Sequence, residues 1–231
     1  MSAGADADGA YTFPEWLPVE PVSAGATVIV AGPAFCSAEE VVEGMVAGGT
    51  RSGEGSLFIS TNETCRKLLT SLARTAADLD RSRLGISDCS GQDIGRDGPD
   101  VQVKYVSTQS DLTGIGMKFS ALYESLYGVA ADGRVRTGLV SLSSLSMYVD
   151  LRKLFQFAQT LSGRIDTAGG LGAFTLDPTT HDTRTVNTLS QVADGRIDVR
   201  EPEVDDADGE LRIRGFTGQP SGWQPFSVPS E

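Results

Sequence analysis

The stretch Thr27-Val-Ile-Val-Ala-Gly-Pro-Ala-Phe-Cys-Ser-Ala-Glu-Glu40 joins an apolar run to a helical pattern through a glycine–proline turn. Thr27 to Ala31 shows no polar alternation, so it reads as a strand buried on both faces. Gly32-Pro33 ends it. From Ser37 to Ala47 the residues Val41, Val42, Met45 and Val46 recur at helical spacing, and Gly48-Gly49 stops the pattern. Ser37-Ala-Glu-Glu40 has the S-x-x-E form of a capping box, in which side chains serve the free N–H groups of the first turn. Glu39 and Glu40 also complement the positive end of the helix dipole.

The same alternation of strand and helix continues along the chain. Leu57 to Ser60, Leu84 to Ser87, Val101 to Val106, Arg136 to Leu142 and Gly172 to Leu176 read as strands. Between them, Glu63 to Leu72, Leu112 to Leu126, Tyr148 to Leu161 and, after the last, Thr183 to Val192 read as helices. Gly91 to Asp100 is a polar loop. Arg196 to Arg200 and Glu210 to Gly215 form a terminal antiparallel pair joined by an acidic turn, Asp205 to Gly209. The expected fold is therefore α/β: a mostly parallel sheet with helices on both faces and a C-terminal antiparallel hairpin. Residues 1–19 form a flexible acidic arm whose segment Tyr11 to Pro18 sets aromatics between prolines, so it is extended and docks its rings. Residues 20–216 form one domain without repeat or linker, and 217–231 an irregular tail.

The 231 residues, 39% of them hydrophobic, suffice for a packed core. The formal net charge of −12 opposes binding to nucleic-acid phosphates or anionic lipid. Lysine occurs only at 67, 104, 118 and 153, and a lysine-poor acidic surface fits a cytoplasm rich in salt. No apolar run spans a bilayer, and Met1 to Ala10 lacks the basic and apolar regions of a signal peptide, so the expected location is cytoplasmic. Cys36, Cys65 and Cys89 form no CxxC pair, so neither a disulfide framework nor a zinc site is expected, and no other metal.

In open parallel sheets the first strand-to-helix turn is the usual phosphate cradle. A working loop has the form G-x-x-x-x-G-K-S/T, in which lysine neutralises phosphate and the hydroxyl holds Mg²⁺. Gly32 and Pro33 begin the loop here, but Ser37, Ala38 and Glu39 stand where glycine, lysine and hydroxyl are needed. A phosphate would meet carboxylates in place of a lysine, so ATP is not expected to bind and no cofactor is.

On these residues the chain resembles the RecA superfamily, in particular its KaiC-like branch and the divergent RecA-like proteins of halophilic archaea, over roughly residues 20–216. Thr27 to Glu40 resembles the Walker A strand and loop. Leu57 to Thr64 resembles the second strand with its acidic motif, where active members usually carry two glutamates and this chain has Asn62 and Glu63. Val140-Ser-Leu-Ser-Ser-Leu145 resembles the Walker B strand, with Val140 in the aspartate's place ahead of Ser141. Asp111 to Gly116 and Thr175 to Asp182 resemble segments that recur in the haloarchaeal group. The resemblance implies a RecA-like fold whose phosphate and metal groups are replaced. It implies a regulatory or scaffolding protein acting through protein contacts, without enzyme activity. The alternative is a divergent ATPase using Glu63 as its one remaining acidic group and working as a ring or filament.

Other groupings carry less. His181 is the sole histidine, so any Ser–His or Cys–His pair must use it. Cys36 and Cys89 follow strands at the same sheet edge, yet His181-Asp182 also reads as a helix start. Asp88, Asp177 and Asp182 read as loop carboxylates, and Asp111 as a helix cap. The rings of Phe13, Trp16, Trp223 and Phe226 dock on their own domain or on a partner, including a second copy of the chain.

Overall fold

The computed structural model describes residues 9–91, 101–203 and 206–229. Most of the loop expected from Gly91 to Asp100, and Asp205 of the acidic turn, lie outside them.

Among the described residues, nine strands form one sheet: β1 (Thr27–Ala31), β2 (Gly55–Ser60), β3 (Leu84–Asp88), β4 (Gln102–Tyr105), β5 (Val135–Val140), β6 (Leu171–Leu176), β7 (Gly195–Arg200), β8 (Gly209–Arg214) and β9 (Gln224–Phe226). Their order across the sheet is β4-β3-β2-β5-β6-β1-β7-β8-β9. The neighbours from β4 through β7 pair in parallel, while β8 and β9 add antiparallel. The expected α/β architecture with its C-terminal antiparallel hairpin is therefore the observed one.

Six α-helices among the described residues cover the two faces: α1 (Ala38–Ala47), α2 (Cys65–Thr75), α3 (Leu112–Tyr127), α4 (Leu142–Ser146), α5 (Leu151–Thr167) and α6 (Thr183–Ser190). Alternation along each strand feeds two cores. Val28 and Val30 of β1, with Phe58 of β2, pack with Val41, Val42 and Met45 of α1. Ile29 and Ala31 of β1, with Leu57 and Ile59 of β2, pack with Phe119 and Leu122 of α3 and Leu154 and Leu161 of α5. Because both faces are covered, β1 has no polar alternation to show.

Two elements were not expected. The fifth strand ends at Val140 and Leu142 begins α4, a five-residue helix capped by Ser141, whose hydroxyl accepts from Ser144 N at 3.3 Å. Its apolar residues Leu142 and Leu145 read equally as strand or helix in so short a run. In the tail, β9 forms because Phe226 is buried against the sheet, and Pro225 is tolerated there because an edge strand has one side unpaired.

The aromatic arm is seated on its own domain. Tyr11 exchanges backbone hydrogen bonds with Val22 at 2.7 and 3.0 Å, and its hydroxyl donates to Gly169 O at 2.9 Å. The Arg134 guanidinium lies 4.0 Å above the Tyr11 ring. Beneath the arm, Arg136 is 1% exposed, ion-paired with Glu54, and donates to Met45 O at 2.8 Å. Trp16 lies over Gly44, where a Cβ would come within 2.3 Å of its ring, and 6.2 Å from Phe226. Trp223 is held near two guanidinium groups, Arg200 at 4.3 Å and Arg212 at 4.6 Å. Gln219 ties the tail to the arm by reciprocal 2.9 Å bonds with the backbone of Glu20.

Candidate functional site

β1, β5 and β6 are neighbours or near neighbours in the sheet, and their carboxyl ends open onto one cavity of about 840 Å³. The loop Gly32–Ser37 enters it from β1, Ser141–Ser146 from β5, and Asp177–His181 from β6. This is the place a parallel sheet offers for a ligand.

The loop after β1 keeps an unusual backbone. Phe35 and Ser37 both have positive φ, 69° and 62°, in the left-handed region. The capping box is not formed: Ser37 makes no side-chain bond to the first turn of α1. A left-handed serine does not have the extended backbone that aims an N-cap hydroxyl at the next turn. Glu39 instead accepts from Asn62 Nδ2 at 2.8 Å, and Glu40 lies 3.9 Å from Arg74. Gly32 has a packing reason of its own, since a Cβ there would lie 2.4 Å from Cys36 Sγ.

No lysine or arginine lines the cavity among the described residues, whereas Glu39, Glu40 and Asp177 do. Burial pushes the Glu39 carboxyl above the usual range, against the Asn62 hydrogen bond, and the Glu40 charge pushes it further. Val140 is 1% exposed and packs in the core beside α1, so it does not face the cavity; Ser141 does. Thr61 Oγ1 fastens that turn, donating to Val140 O at 2.9 Å and accepting from Ser141 N at 2.6 Å. Glu63 does not line the cavity. It sits 3.4 Å from Lys67, and burial followed by the Glu39 charge raises its carboxyl.

A Cys–His pair is not formed. Cys36 turns into the core toward Val199 O, at 3.8 Å, and burial raises its thiol to about 11. Cys89 is fully buried and raised to about 12 by the same cause. His181 instead contacts Ser143, Nε2 to Oγ 2.9 Å. Ser143 Oγ also accepts from Asp177 N at 2.9 Å. The three aspartates remain separate: Asp88 accepts from Cys65 N, Asp177 from Thr179 N, and Asp182 caps Thr185. No group of residues able to hold a metal ion occurs among the described residues.

Ser143, Thr175 and Thr180 were not singled out by the sequence. Their signal was placement: a serine-rich run follows β5, the Thr-Thr-His segment follows β6, and only the sheet order makes those strands neighbours.

Residues 25–199 match a family profile described as a family of unknown function, DUF7504. The chain belongs to that family. No curated protein matches it. Among solved structures it is similar to the crystal structure of a KaiC-like protein from the hyperthermophilic archaeon Pyrococcus horikoshii OT3. The TM-score is 0.66 at 15% identity, over 91% of this chain and 89% of the other. That likeness shows a RecA-type, KaiC-like fold. Among the described residues, no helix of this DUF7504 member is long and apolar enough to cross a membrane.

Proposed function

We propose that this DUF7504 protein is a RecA-like domain without phosphoryl-transfer activity that acts as a regulatory or scaffolding partner of other proteins. One observation carries the reading. The cavity where a phosphate loop would work has three carboxylates on its lining, Glu39, Glu40 and Asp177, and no lysine or arginine among the described residues. Phosphoryl transfer depends on positive groups that neutralise the transferring charge, so their replacement by carboxylates removes both binding and rate. Val140, buried where the resemblance places a metal-holding carboxylate, removes a second support.

Apolar side chains mark the rim as a surface for protein contact. Phe35 is fully exposed and Met147 is 80% exposed. A second copy of the chain is one partner such a rim could take. The acidic surface belongs, in this reading, to a salty cytoplasm of halophilic archaea, where screening relieves self-repulsion.

Titration of the full chain with fluorescent ATP and Mg²⁺ tests the central claim. The expected result is no saturable binding below millimolar nucleotide and no phosphate release. Micromolar binding with turnover, lost in Glu63→Gln, would refute it in favour of a divergent ATPase.

A further inference from the structure

We infer that the cavity between the carboxyl ends of β1, β5 and β6 is an acyl-transfer site for uncharged esters, with Ser143 as nucleophile and His181 as its general base. The inference goes beyond the protein-contact reading and does not rest on it.

The pair has the geometry the chemistry requires. Ser143 Oγ and His181 Nε2 are 2.9 Å apart, within the reach needed for direct proton transfer. Ser143 has two other contacts. Its oxygen already accepts the Asp177 N–H at 2.9 Å, and its alternative acceptor, Asp177 O, is 3.5 Å away. In the tautomer with the imidazole proton on Nδ1, Nε2 accepts the hydroxyl proton, and this is the form general-base action uses. A backbone N–H on Oγ also stabilises the negative charge that grows as the proton leaves.

The surroundings set the substrate class. The first turn of α1, which has no side-chain cap, borders the same cavity at Ala38, Glu39 and Glu40. Thr175, on the lining, is 4% exposed and its Oγ1 has no hydrogen-bond partner, an orphaned polar group that a bound carbonyl or hydroxyl would satisfy. Glu39, Glu40 and Asp177 repel anionic substrates. Phe35 and Met147, both exposed at the rim, offer cover to an apolar acyl or alkyl group.

The step balances with water as the only co-reactant. Ser143 Oγ–H gives its proton to His181 Nε2 as Oγ bonds to the ester carbonyl carbon. The bond from that carbon to the leaving oxygen breaks, and the leaving alkoxide takes the proton from Nε2. His181 then deprotonates a water, which attacks the acyl-serine. The acid departs and the proton returns to Ser143 Oγ.

The wild-type full chain is treated with an uncharged alkyl fluorophosphonate, which loses fluoride as its phosphorus bonds to an activated serine, and the intact mass and adduct site are read. One adduct per chain at Ser143 is expected, at a rate about a hundredfold or more lower in His181→Gln, with p-nitrophenyl acetate hydrolysis falling in parallel. Ser143→Ala should abolish both readouts while its circular dichroism stays that of the wild type. No adduct on the wild type overturns the inference. So does labelling spread over other serines, or labelling at Ser143 that His181→Gln leaves unchanged.

Discussion

Replacing Glu43 by glutamine should remove much of the pH dependence of this fold. Glu43 lies on α1 at 2% exposure, facing α2. Its Oε2 accepts from Ser71 Oγ at 2.9 Å and Thr75 Oγ1 at 2.8 Å. Burial raises its carboxyl from 4.5 to about 8, against those two hydrogen bonds, and the charges of Glu40 and Glu63 push the same way. Near neutrality the folded chain thus holds a proton here that the unfolded chain releases. The sign follows: this group's contribution is fully present below about pH 4.5 and is lost as pH rises toward about 8. With ~1.4 kcal/mol per pKa unit, unfolding free energy should fall by roughly 2–3 kcal/mol between about pH 5 and about pH 7 from this residue alone. Glutamine keeps an acceptor for Ser71 and Thr75 and never ionises. Urea melts of wild type and Glu43→Gln across that range at fixed salt give the comparison. The wild type should weaken as pH rises while the variant stays nearly flat, so that the variant is the more stable near neutrality. Parallel curves would refute the reasoning, because they would mean that Glu43 is already ionised in the fold.

Two further outcomes test particular contacts. Ser37→Gly should stabilise the chain by about 1 kcal/mol, since glycine takes φ 62° without the left-handed penalty and no cap is lost; a loss in thermal melts would restore the capping box. Glu54→Ala should cost about 3–5 kcal/mol, because Arg136, 1% exposed, loses its carboxylate partner; a loss below about 1 kcal/mol in urea melts would show that Arg136 reaches water.

Much of the fold was legible because burial on both faces leaves a signature that does not depend on distant residues. Thr27–Ala31 was delimited to the residue, and the helices α3 and α5 were visible from their apolar stripes. β9 was not, because three residues containing a proline carry no periodicity, and it was the sheet edge that recruited them. The candidate site was legible only in its negative part. The sequence shows that lysine and hydroxyl are missing after Gly32, since that is a matter of residue type. It suggested that Ser37 caps the helix, and the backbone at Ser37 decided otherwise. It offered His181 to Cys36 or Cys89, and the packing of both thiols into the core decided against each.

Sequence alone therefore determined the alternation of strand and helix, the residue types that follow Gly32, and the net negative charge, all of which are local or compositional. Tertiary structure decided which side chains meet at the cavity. Ser143 and His181 are 38 residues apart and meet only because β5 and β6 pair in parallel and bring their carboxyl ends side by side. No periodicity in a chain encodes the neighbour of a strand; that choice is made by the burial of both sheet faces at once.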